Sequence, residues 1–399
     1  MDSSSREKRI LMPLTPEQQN ETVAFLQRLV QAASLTGHEK LTAETATAQM
    51  RALNFDRVWS DEYGNVIGER HGDQPGTALM FEAHMDVVGP GNPKEWVNDP
   101  FSGLLKDGKI YGRGATDTKG SLASLIMAIG TLPRDQIHGT LYAVGSVGEE
   151  LIEGSGLRKV LEAVKVDGVV IGEPTGCCLA IGQKGRASIL FTAHGRPAHT
   201  SKPENGENAV LKAAEIIRRV ERLPLPEDVW LGKGVMEPLM ISSKPLPPAT
   251  SIIPYECQVE YDRRLMPGET LASILAEYRG ALADLPGWDV TVETRSIDTY
   301  TGLTISAPNF HIAWLMDEHS TWVKGAETAL GSVGIAPSTF AVPYCTNGSV
   351  AAGERGLPTL IFGPSDINMA HAPNEFISVE ELLRGVTGYQ ALALGLNLS

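Results

Sequence analysis

The chain has 399 residues, 42% hydrophobic and 21% charged, a globular composition that excludes a disordered, collagenous or coiled-coil protein. Its 34 Lys+Arg face 48 Asp+Glu, a net charge of −14, the wrong sign for gripping nucleic acid or anionic lipid through phosphate neutralisation. No apolar run approaches the ~20 residues that span a bilayer, no signal-peptide pattern opens the chain, and Cys177, Cys178, Cys257 and Cys345 are scattered like the reduced thiols of a cytoplasmic protein.

Residues 1–15 are polar and aperiodic, a loose arm. Two amphipathic helices follow, over ETVAFLQRLVQAA and HEKLTAETATAQMRAL, with Gly37 breaking the chain between them. Short β-rich runs come next at 57–59 and 64–68, then the strongly apolar TALMFEAH. SLASLIMAIGTL has helical periodicity, while GTLYAVGSV and DGVVIGE read as buried strands. Strands alternating with helices predict a mixed, mostly parallel α/β sheet covered by helices.

The pattern changes near Gly182–Gly185. ASILFTA, VMEPLMISS, ECQVEYDRRL and WDVTVET read as strands, and ENAVLKAAEIIRRVERL and ETLASILAEYRGALADL as helices. Their order, β-α-β-β-α-β, is the ferredoxin-like split motif. It predicts an inserted lid domain over 184–297, with 1–183 and 298–399 forming one discontinuous catalytic domain. FHIAWL, LPTLIFG and VEELLRGVTGYQALAL would complete that first domain.

Polar residues cluster at the ends of the apolar runs, where sites form in open α/β sheets. His84 and Asp86 follow the first buried strand; two apart, they face one side, so the acid can hold one ring nitrogen while the other binds metal. Asp117 follows the turn glycines Gly112 and Gly114 and precedes a helix. Glu149 and Glu150 are costly neighbours unless cations or protons separate them, an arrangement suited to a metal ligand beside a general base. Glu173 ends another strand before Pro174, and His371 lies in the loop before the final helix. Two histidines and several acids at separate strand ends match a two-metal site with a bridging carboxylate. Zinc suits these donors, and cobalt or manganese are alternatives.

HMDVV, DPFSGLLKDGKIYGRGATDTKG, GEE, GEPT, GRPAHTSKPENGENAV, DRRLMPGE and AHAPNE, in this order over nearly the whole chain, resemble the M20 metallopeptidase family. That family includes acetylornithine deacetylase, succinyl-diaminopimelate desuccinylase, carboxypeptidase G-type enzymes and dipeptidases. The resemblance implies that His84, Asp117 and Glu173 bind one metal and Asp117, Glu150 and His371 the other. It makes Glu149 the general base, puts Asp86 behind the ligands, and implies a cis peptide after Asp117. It further implies that His199 in the lid touches substrate, in dimeric relatives across a homodimer, and that Arg264 clamps a substrate carboxylate. Thr346, Asn347 and Gly348 match the family's substrate loop.

Alternation along ECQVEYDRRL independently puts Arg263 on the apolar face and Arg264 on the open one. Two segments depart from the family pattern: Ser251-Ile252-Ile253-Pro254 lacks an asparagine, and the loop after Tyr344 reads CTNGS. The expectation is a dizinc hydrolase of N-acylated or N-carbamoylated amino acids carrying a carboxylate, soluble, cytoplasmic and homodimeric through its lid. A dipeptidase or carboxypeptidase is the alternative, and an inactive binding scaffold a third.

Overall fold

The computed structural model describes residues 13–246, 250–336 and 338–396, so most of the loose arm expected at the start lies outside the described residues. Helix Pro16–Gln31 starts where Thr15 and Gln18 cap each other reciprocally, and helix Lys40–Ala52 follows the break at Gly37. The apolar run at 77–84 becomes the end of strand Gln74–His84, whose residues 79–84 are all buried.

That strand pairs in parallel with His138–Ser146 on one side and Gly168–Ile171 on the other. Outward from His138–Ser146 come Val66–His71 and Arg57–Ser60, both antiparallel. Outward from Gly168–Ile171 come Thr359–Ile361, parallel, then Leu179–Gln183 and Trp314–Leu315, antiparallel, with Thr339–Val342 joining Leu179–Gln183 in parallel. Parallel neighbours require crossover connections, and helices Lys119–Thr131 and Ser155–Ala163 lie in them. Lys119–Thr131 is apolar almost all round and buried through residue 130, under the C-terminal helix Val379–Gly395. The mixed α/β class read from the alternating runs is the observed one.

A second sheet has the order Val235–Lys244, Glu256–Arg264, Arg186–His194, Trp288–Val292, every neighbour antiparallel. Helices Ala209–Val220 and Leu271–Ala281 help cover its apolar face, so this unit has a core of its own. Cys257, Val259 and Tyr261 point into that core, where Phe191 meets Tyr261 and Tyr278 edge-on. Arg263 takes the same face and is 1% exposed, held by Glu269, by Glu277 and by the Tyr278 hydroxyl. The lid pattern is thus the ferredoxin-like one. The run WDVTVET divides: its strand ends at Val292, and Thr294–Asp298 pairs instead with Thr304–Pro308 as a hairpin. Phe310–His311 then returns to the second sheet beside Arg186 and Ala187.

Candidate metal centre

Six side chains from five segments converge at the carboxyl ends of the larger sheet's parallel strands, where loops leave the backbone free to present them. His84 ends its strand, Glu173 lies two residues beyond Gly168–Ile171, and Glu149 and Glu150 open the short helix Glu149–Ile152. Asp117 stands just before helix Lys119–Thr131, and His371 in the loop before strand Phe376–Ser378. Asp117 divides its oxygens: Oδ1 is 3.1 Å from His84 Nε2, and Oδ2 is 3.2 Å from His371 Nε2. His371 Nε2 is also 3.2 Å from Glu150 Oε2. Glu173 Oε1 and Glu149 Oε2 lie 3.9 Å and 4.0 Å from His84 Nε2. His84, Asp117 and Glu150 each offer a donor atom within 4.8 Å of the other two.

Burial and mutual charge set how these groups hold protons. Burial pushes the carboxyls of Glu149 and Glu173 well above the usual range, and repulsion from neighbouring acids adds to the rise. Burial raises Glu150 as well. Asp117 moves the other way: burial works against it, but hydrogen bonds from His371 and His84 hold it below the usual carboxylate range. Those same carboxylates raise His371 to about 10, and Asp117 and Asp86 raise His84 against the effect of burial. Four acids around two imidazoles are an excess of negative donors that divalent cations would neutralise, and the mix of oxygen and imidazole nitrogen suits zinc, cobalt or manganese.

A further layer holds these donors in place. Asp86 accepts the backbone N–H groups of Glu149 and Glu150, each at 3.1 Å, and the Thr36 hydroxyl at 2.7 Å. Its carboxylate therefore caps the helix of the two glutamates, a favourable position for negative charge. His84 Nδ1 is 2.9 Å from the Asp86 backbone carbonyl, whereas the Asp86 carboxylate is 3.5 Å away. Sequence spacing pointed at that carboxylate; the carbonyl is the nearer partner.

Glu375 carried no expectation, although it lies inside AHAPNE. It accepts from the N–H groups of Asp117 at 3.0 Å and Thr116 at 2.8 Å and pairs with buried Arg113 at 2.6 Å. It thus sets the backbone that presents Asp117. The Asp117–Thr118 peptide is cis, as the resemblance implied. Gly114 makes the preceding turn at φ +87°, where an added Cβ would meet Val87 Cγ1 at 2.6 Å.

Residues 80–395 match the profile of Peptidase family M20/M25/M40. The chain belongs to that family. It is 32% identical to the YgeY protein of Escherichia coli, with 97% of each chain covered. It is 26% identical to a succinyl-diaminopimelate desuccinylase of Caulobacter, covering 93% of this chain and 95% of that one. Among solved structures, the YXEP protein of Bacillus subtilis, described as a dinuclear metal binding peptidase of the M20 family, superposes with a TM-score of 0.71. That alignment covers 96% of this chain and 99% of that one at 15% identity, a likeness of fold. The chain is a hydrolase of the M20 family, and among its described residues no helix is long and apolar enough to cross a membrane.

The remaining residues expected from M20 motifs have other partners. His199 is exposed in the lid, its Nδ1 2.8 Å from the Ser201 hydroxyl. Arg264 projects from the open face of the lid sheet, Nε 2.9 Å from Asp262 Oδ1. Asp262 also accepts from Arg186 at 2.9 Å, so two guanidinium groups share one carboxylate. Thr346 and Asn347 are buried and their side chains are engaged within the protein. Thr346 hydrogen-bonds Gln183, and its hydroxyl accepts the Gly348 N–H at 3.0 Å. Asn347 bonds Glu82, Ser146 and Gly154. In this conformation both side chains are paired within the protein.

Proposed function

We propose that this M20 hydrolase cleaves the amide bond of an N-acylated or N-carbamoylated amino acid, or a related small molecule bearing a carboxylate. The observation that carries this reading is Asp117, whose two oxygens divide between His84 and His371 with Glu149 and Glu150 beside them. His84, Asp117 and Glu173 would hold one divalent cation and Asp117, Glu150 and His371 a second, with zinc the metal that best suits the donors. When bound, the cations supply Lewis acidity to the scissile carbonyl and lower the pKa of the attacking water.

The chain's own groups do the rest. Glu149 is buried, and its raised affinity for protons equips it to take one from the water and pass it to the leaving amine. Asp86 keeps the helix of Glu149 and Glu150 in register, and Glu375 does the same for Asp117. Arg264, on the open lid face, would hold the substrate carboxylate as a charge-assisted pair. His199 would donate to the carbonyl oxygen as negative charge develops. Thr346, Asn347 and Gly348 would act by shaping the loop.

In this reading residues 184–297 are the lid, whose sheet the short strand Phe310–His311 also joins, and 1–183 with the rest of 298–399 the catalytic unit. The protein works as a homodimer, a role supported by the outer lid strand Val235–Lys244, where Leu239 is 61% and Ile241 57% exposed. Four free cysteines support a cytoplasmic setting. The deciding experiment assays N-acetyl, N-succinyl and N-carbamoyl amino acids and dipeptides after chelation and reloading with zinc, cobalt or manganese. Turnover of the acyl or carbamoyl substrates, lost on chelation and restored by metal, is expected. Activity confined to free dipeptides would move the enzyme to the peptidase branch, and activity indifferent to chelation would overturn the metal reading.

A further inference from the structure

Strand Gln74–His84 carries an acid that the hydrolysis reading leaves unused. Glu82 lies two residues before His84 and is fully buried. Its Oε1 accepts from the Ser146 hydroxyl, at the end of strand His138–Ser146, and from Asn347 Nδ2 at 2.8 Å. The same amide nitrogen is 3.1 Å from Ser146 Oγ, while Asn347 Oδ1 accepts the Gly154 N–H at 2.6 Å. The surroundings thus orient the amide, nitrogen toward two oxygens and oxygen toward a backbone N–H.

Gly154 follows Glu153, the C-terminal cap of helix Glu149–Ile152. It has φ +77°, and an added Cβ there would meet Val350 Cγ2 at 2.4 Å, so this corner favours glycine. A buried carboxyl with one oxygen unpartnered is a costly way to fill space that an apolar side chain would fill more cheaply. What the arrangement does supply is direction. It ties the strand ending in His84, the strand leading to Glu149, the far end of the glutamate helix and the CTNGS loop into one network. Asp86 grips that helix at its N-terminus, and Asn347 grips the chain where it leaves.

We propose that Glu82 and Asn347 are positioning residues that hold helix Glu149–Ile152 against the strand of His84, and so keep Glu149 aimed at the reacting centre. This rests on the reading of Glu149 as the general base. The CTNGS loop supplies the asparagine that meets the acid on the strand behind it.

The experiment is a swap of hydrogen-bond roles, with kcat, KM, metal content and thermal midpoint measured on the metal-loaded protein. Asn347→Asp removes the donor and sets two acids face to face. It should lower kcat about 10–100-fold, the scale of a buried polar group left unpaired, while KM moves only a few-fold and both metals stay. Adding Glu82→Gln restores a donor with the roles reversed, since the glutamine amide can give to the new carboxylate while its oxygen still accepts from Ser146. The double variant should recover most of the lost kcat. Glu82→Leu, with no acceptor, should fall as far as Asn347→Asp. An Asn347→Asp variant with unchanged kcat, a double variant no better than the single, or a kcat loss that only follows metal loss or unfolding overturns the proposal. An active Glu149→Gln overturns the base assignment instead, whereas failed rescue in a Glu149-dependent enzyme overturns the positioning network alone.

Discussion

At the scale of single residues, adjacent glutamates differ by what each reaches. Glu150 lies 3.2 Å from His371, while Glu149 lies 4.0 Å from His84. In the proposed mechanism the first binds metal and the second moves a proton. Glu149→Gln should therefore keep both metals and lose about 10²–10⁴-fold in kcat, the range of a positioned proton shuttle. Glu150→Gln should lose one metal, measured by elemental analysis after dialysis. Exchange of these phenotypes would reverse the assignment. The pair was legible as a motif because two adjacent carboxylates at a strand end demand neutralisation. The roles of Glu375 and Glu82 were not, because each acts through a partner more than 200 residues away in sequence.

At the scale of elements, caps make local predictions. Ser378 opens the C-terminal helix, its hydroxyl accepting the Glu381 N–H at 3.1 Å and donating to the Glu381 carboxylate at 2.7 Å. Ser378→Ala should cost about 1 kcal/mol in denaturant unfolding, the usual value of such a cap. Glu39, before helix Lys40–Ala52, is buried with Oε1 accepting the Gly37 N–H at 3.0 Å and Oε2 unpartnered. Burial, reinforced by the charge of Asp86, raises its pKa from 4.5 to about 7. Between those values the folded protein keeps a proton that the unfolded chain has released, so Glu39's contribution to stability falls as pH rises through that window. Glu39→Gln removes the titration, so its unfolding midpoint relative to wild type should improve from about pH 5 to about pH 8. A gap independent of pH would refute it. Helices and strands were readable where periodicity was strong, as in Gln74–His84 and Lys119–Thr131. The hairpin Thr294–Asp298 with Thr304–Pro308 was missed because short, half-exposed strands carry too little apolar signal to separate them from their neighbours.

For the whole molecule, the role proposed for His199 calls for a second copy of the chain. Within one chain its partner is Ser201, not a donor of the metal centre. If a second copy supplies it, His199→Ala should keep full metal content and lose about 10²–10³-fold in kcat, the scale of one oxyanion donor. Mixing that variant with Glu149→Gln under subunit exchange should restore activity, because a hybrid dimer holds one intact composite site. Sedimentation should then show a dimer, and a charge introduced at Leu239 or Ile241 should dissociate it. A monomer at assay concentration, or no activity on mixing, would overturn the in-trans arrangement.

The sequence alone determined the alternation of strands and helices, the inserted split motif, and the identity of the acids and histidines at strand ends. These follow from periodicity and from the chemistry each residue type permits, both of which are local. Only the tertiary structure decided which carboxylate supports which neighbour: Asp86 capping the glutamate helix, Glu375 setting the Asp117 backbone, and Asn347 turned inward onto Glu82. Hydrogen bonds are short and directional, and the chain brings their partners together only once the sheet is assembled, so no spacing in the sequence announces them.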